Sequence, residues 1–138
     1  MKHLFLDTNV LIDLLAQREG FWLAAAELVE AGKQKRAVLY VASLSFSHIH
    51  YVLRKSNPPA ERRDKLLKLT RLVQIVAIGG PVVEQALASD MSDFEDALQY
   101  FAARSIPAIS YIVTRDPKGF AGSQLPVVSP VEALVLLG

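Results

Sequence analysis

Cysteine is absent from the 138 residues, which excludes both a disulfide framework and a thiolate zinc site and suits a reducing compartment. Long apolar runs are missing as well: 51% of the residues are hydrophobic, yet no stretch is long enough to span a bilayer. Asp7 and Asp13 interrupt the only early apolar run, so the chain does not begin with the apolar core of a secretory leader. A cytoplasmic location with no membrane attachment is the expectation. Repeats, low-complexity tracts and linker-like segments are also lacking, and the length is that of one compact unit, so residues 1–138 are read as a single domain.

Net charge is only +1, but it is unevenly distributed. Between Lys33 and Arg71 stand ten basic and two acidic residues, a local charge of +8, while the remainder carries five basic and twelve acidic residues, or −7. Such a split fits a surface that attracts phosphate or an acidic partner beside a second, carboxylate-rich region.

The carboxylate-rich region has a pattern. Leu4 to Leu6 predicts a strand that stops at Asp7, and a helix follows from Asn9 to Leu15. Further helices are predicted from Phe21 to near Gly32, from Ser43 or Ser45 to about Lys55, from Ala60 to Leu72, from Val82 to Ser89 and from Pro130 onward. Strands are predicted at 37–41, 74–78, 108–113 and 127–128. Ser92 and Glu95 have the spacing of a capping box, so a helix is expected to start at Ser92 and run to about Arg104. Strands alternating with helices imply an α/β fold with a parallel sheet covered on both faces.

Asp7 and Asp116 each end a predicted strand, and Asp93 and Asp96 lie one turn apart on the helix before the fourth strand. If strands one and four are neighbours, these carboxylates converge at the C-terminal edge of the sheet. Crowded carboxylates suit a hard cation such as Mg²⁺ or Mn²⁺, and the corresponding chemistry is phosphoryl transfer. Plainer roles exist for each: Asp7 as a helix cap, Asp93 as a complement to a helix dipole, Asp116 as a turn residue before Pro117. A phosphoacceptor receiver also gathers aspartates at a sheet edge, but receivers use an acidic pair before the first helix and a lysine after the last strand, and Pro126 to Pro130 contains no lysine.

Four segments, Phe5 to Asp13, His48 to Lys55, Asp93 to Gln99 and Ile112 to Asp116, make the sequence resemble PIN-domain proteins over nearly its whole length. The resemblance implies a three-layer α/β/α sandwich with a central parallel sheet of four to five strands and a Mg²⁺- or Mn²⁺-dependent ribonuclease site. It also implies the toxin half of a bacterial toxin–antitoxin pair, with RNA as substrate, an antitoxin protein as partner, and a homodimer. Asp7, Asp96 and Asp116 match the acidic catalytic and metal positions, Asp93 matches a further acidic position, and Thr8, Asn9 and Thr114 match supporting polar residues. Arg115 and Lys118 are the candidates for steadying a substrate phosphate. The sequence departs from the family at His48, which stands where an acidic residue is usual, and at Gly119, where many relatives carry aspartate. His48 is open to three readings: a variant ligand, a general base or phosphate contact, or the mark of a weakened site. The alternative to a nuclease is accordingly a catalytically weakened module of the same fold that binds RNA or a protein partner.

Overall fold

A computed structural model describes residues 1–138, and its organisation follows from an alternation in the first strand. Along β1 (Lys2–Leu6), Leu4 and Leu6 pack into one apolar cluster and Phe5 into another, because successive side chains of a strand leave opposite faces. β2 (Ala37–Ala42) repeats the pattern, with Leu39 and Val41 on the first side and Ala42 on the second. A sheet buried on both faces needs helices on both, and the chain supplies them as a three-layer α/β/α sandwich. Each fully buried Leu or Phe of these strands contributes about 1.5–3 kcal/mol by leaving water.

On one face lie α1 (Thr8–Leu15), α2 (Trp22–Lys33), α3 (Ser43–Val52), α4 (Pro59–Thr70) and α7 (Pro130–Leu137), which contribute Leu11, Leu28, Ile49, Leu69 and Ala133 to the larger cluster. The other face is covered by α5 (Gly80–Ala88) and α6 (Phe94–Arg104), through Val82, Ala86, Tyr100, Ala102 and Ala103. With β3 (Gln74–Val76), β4 (Tyr111–Val113) and β5 (Val127–Val128), the sheet has five parallel strands in the order β3-β2-β1-β4-β5. The chain therefore winds outward from β1 in one direction and resumes at β4 in the other. The switch point lies between β1 and β4, where open α/β sheets leave a crevice at the strand ends.

Three boundaries differ from the sequence expectation for physical reasons. The helix predicted at Ser92 begins at Phe94, because the Asp93 side chain takes the N–H of Asp96 (2.9 Å) and so becomes the cap itself. The strand predicted from 108 starts only at Tyr111, since the backbone after Arg104 is still turning, with Ile109 N–H donating to Ile106 O. The third helix gives way after Val52 to a short 3₁₀ turn, Leu53–Lys55.

Candidate metal centre

Strands β1 and β4 are paired in parallel, Leu6 opposite Val113, so both deliver their next residues to the same edge. Asp7 N–H donates to Val113 O at 2.9 Å, which seats the first aspartate against the end of β4. Asp7 holds the cap position of α1, yet its side chain makes no capping hydrogen bond. Instead, Thr114 Oγ1 donates to Asp7 Oδ2 at 2.7 Å and Gln99 Nε2 donates to Asp7 Oδ1 at 2.9 Å. The carboxylate is 3% exposed, and its close side-chain partners come from β4's end and α6, not from the helix it precedes. Burial raises its pKa, and hydrogen bonds from Thr114, Gln99 and the backbone of Asn9 and Thr8 offset that only in part.

Gln99 was not legible as a site residue. It is 1% exposed on α6, and its carbonyl accepts from Thr8 N at 3.0 Å and from Thr8 Oγ1 at 3.2 Å. Its amide therefore joins the start of α1 to Asp7, and both ends of the amide have only one workable orientation. Ser45 Oγ, 2.6 Å from Thr8 Oγ1, extends the network to α3. Thr114 plays a similar part on the other side: its hydroxyl, besides donating to Asp7, accepts from Asp116 N at 3.0 Å.

Asp7, Asp93, Asp96 and Asp116 line one cleft of about 210 Å³ together with Thr8, Asn9 and His48, and no apolar residue lines it. Burial, followed by the neighbouring charges of Asp93, Asp7, Glu95 and Asp116, pushes the Asp96 carboxyl up to about 7. Asp96 also packs over Gly119, where an added Cβ would collide with Oδ2 and lie 3.2 Å from Cγ. The Asp96 carboxylate thus occupies the space that a side chain at position 119 would need.

His48 faces the same cleft from α3, and its Nδ1 is 2.7 Å from Glu95 Oε1. Glu95 was expected to serve a capping box with Ser92. Because Asp93 takes the cap one residue later, Glu95 no longer stands three residues after the cap, and its carboxylate meets His48 instead.

Arg115 is not placed as expected. Its Nε and Nη2 donate to Asp13 Oδ2 and Oδ1 at 2.7 and 3.2 Å, and its guanidinium lies 4.3 Å from the Phe21 ring centre. Asp13 is 1% exposed, and a buried carboxylate holds a bidentate arginine in preference to leaving it for a ligand. Lys118 is exposed on the 3₁₀ turn after Asp116 (Pro117–Phe120) and does not line the cleft.

A divalent ion is tested by this donor set. Hard carboxylate oxygens in a wholly polar cleft, one of them raised to about 7 by burial and by its charged neighbours, are the environment a cation relieves. No three acidic or imidazole groups are already drawn together at ligand distances. Mg²⁺ is usually held by one or two carboxylates with water completing its shell, so the residues present fit such an ion.

The family model described as a PIN domain matches residues 3–118. No curated protein matches the chain. Among solved structures, a toxin–antitoxin complex from Klebsiella pneumoniae is similar at TM-score 0.67 and 21% identity, covering 91% of this chain and 96% of that one. VapBC2 from Rickettsia felis, bound to a promoter DNA fragment, is similar at TM-score 0.65 and 16% identity, covering 92% and 98%. VapC20 from Mycobacterium tuberculosis, described as a toxin cleaving the sarcin–ricin loop, is similar at TM-score 0.64 and 18% identity, covering 84% and 92%. At these identities the likeness is one of fold.

Proposed function

This chain belongs to the PIN-domain family, and on that premise we propose that it is a metal-dependent ribonuclease and the toxin of a bacterial toxin–antitoxin pair. The observation that carries the reading is Asp7: a buried carboxylate, fixed by Thr114 and Gln99, opening onto a polar cleft that Asp96 and Asp116 share. Similar folds in a toxin that cleaves RNA and in toxin–antitoxin complexes support it.

Asp7, Asp96 and Asp116, with Asp93 beside them, would hold Mg²⁺ or Mn²⁺. When bound, such an ion makes water a competent nucleophile at neutral pH and offsets charge on the phosphodiester. Thr114 and Gln99 keep Asp7 from rotating, and the same Thr114 hydroxyl also holds the backbone N–H of Asp116. Next to the cleft, exposed Tyr51 stands one helical turn from His48 with Arg54 3.6 Å over its ring, a cationic aromatic surface suited to single-stranded RNA. An antitoxin partner and a homodimer belong to the same proposal. No helix is long and apolar enough to cross a membrane, in keeping with a cytoplasmic site of action.

A second reading, a module of this fold that binds RNA or a protein without cutting, is favoured by His48, which brings nitrogen to a position usually acidic. Purified protein separates the two. RNA cleavage that EDTA abolishes and Mg²⁺ or Mn²⁺ restores supports the nuclease; intact RNA under every ion supports the module.

A further inference from the structure

We infer that His48, oriented by Glu95, is a nitrogen ligand that makes this cleft prefer Mn²⁺ and related transition ions to Mg²⁺. The inference rests on the cleft being a divalent-metal site, and it concerns which ion the site selects.

His48 Nδ1 lies 2.7 Å from Glu95 Oε1. An ionised carboxylate can only accept, so the proton of that hydrogen bond belongs to Nδ1. With the proton on Nδ1, a metal-binding ring presents its lone pair at Nε2, and the residue lines the same cleft as Asp7, Asp96 and Asp116. Carboxylate, imidazole and open nitrogen in that order form the arrangement by which proteins orient histidine toward a metal and raise its basicity. A purely structural pair explains less. Both side chains are partly exposed, 38% for His48 and 42% for Glu95, and ion pairs at such sites contribute about 0–1 kcal/mol.

Nitrogen in place of a carboxylate oxygen changes two quantities together. It removes one negative charge from a cleft already lined by Asp7, Asp93, Asp96 and Asp116, and it replaces a hard donor by a borderline one. Mg²⁺ gains little from imidazole, whereas Mn²⁺ and later first-row ions accept it readily. Glu95, which lines the same cleft, is assigned as the positioning residue that fixes the ring.

The test is metal binding by the full chain, with MnCl₂ and MgCl₂ alone as probes. Calorimetry would give the ratio of Mn²⁺ to Mg²⁺ affinity, and pulsed EPR of the Mn²⁺ complex would report nitrogen coupling. The native chain should show nitrogen coupling and a high ratio. His48→Glu should lose the coupling and lower the ratio by about tenfold or more, and Glu95→Gln should weaken Mn²⁺ binding by about 10–100-fold while its melting temperature stays near native. Mn²⁺ bound without nitrogen coupling, at a ratio that His48→Glu leaves unchanged, would overturn the inference and leave the nuclease reading standing. Failure of the native chain to bind either ion would overturn both.

Discussion

The carboxylate of Asp96 packs directly over Gly119, so closely that a Cβ at position 119 would collide with Oδ2. The turn after β4 and the first turn of α6 therefore meet without a side chain between them, and the space so left is part of the cleft's geometry.

Gly119→Ala tests that contact. The obstructed atom is the end of a rotatable side chain, so the carboxylate gives way and the fold does not; the expected stability loss is under about 1 kcal/mol. Displacing one member of a catalytic constellation by about an ångström costs on the order of 100-fold in rate. RNA cleavage should fall steeply while the urea midpoint hardly moves.

pH should act on the metal-free protein through Asp96, whose carboxyl is pushed from 3.8 to about 7, and in the same direction through Asp7. A folded-state pKa above the unfolded value means that the folded chain holds the proton more tightly. That stabilisation is complete below the unfolded value and is lost as pH rises through the folded one. The melting temperature of EDTA-treated protein should therefore fall between about pH 4 and pH 7 and level off above. Asp96→Asn should flatten the profile, and Mn²⁺ should restore stability at the alkaline end. A native profile as flat as that of Asp96→Asn would refute the assignment.

Gln99 should matter to stability as well as to the site. Replacing it with Leu leaves Asp7 Oδ1 and Thr8 N without the partners they have at 2.9 and 3.0 Å, in a buried environment. Each orphaned group costs about 1–3 kcal/mol, so Gln99→Leu should lower unfolding free energy by about 2–6 kcal/mol in denaturant titration.

Arg115 distinguishes a structural from a substrate role. Arg115→Ala leaves the buried Asp13 carboxylate with only Arg18, 3.5 Å away, and should destabilise the chain by about 2–4 kcal/mol with KM for RNA nearly unchanged. A raised KM with an unmoved melting temperature would return Arg115 to the substrate.

Two identical spacings show what the sequence could and could not reveal. Ser92 and Glu95 were read as a capping box and are not one; Ser129 and Glu132 form a complete box, with Ser129 Oγ accepting from Glu132 N and Glu132 Oε1 from Ser129 N. The difference lies in the next residue. Asp93 competes for the cap one position later, whereas Pro130 favours a helix that begins at itself. The periodicity of strands and helices, and the aspartates at strand ends, are local properties and were legible. The pairs Glu95 with His48, Gln99 with Asp7, Arg115 with Asp13 and Asp96 with Gly119 join distant segments, and only the packed sheet brings them together. Gln99 looked like an ordinary polar residue beside an apolar stripe, and its near-complete burial was the missing signal.

The central claim is that the cleft between β1, β4 and α6 holds a divalent cation. An anomalous-difference map from a crystal soaked in MnCl₂ tests it most directly, with Asp7→Asn soaked in parallel. The account predicts a peak among Asp7, Asp96 and Asp116 that the substitution removes; a cleft without a peak, or a peak that survives Asp7→Asn, would contradict it.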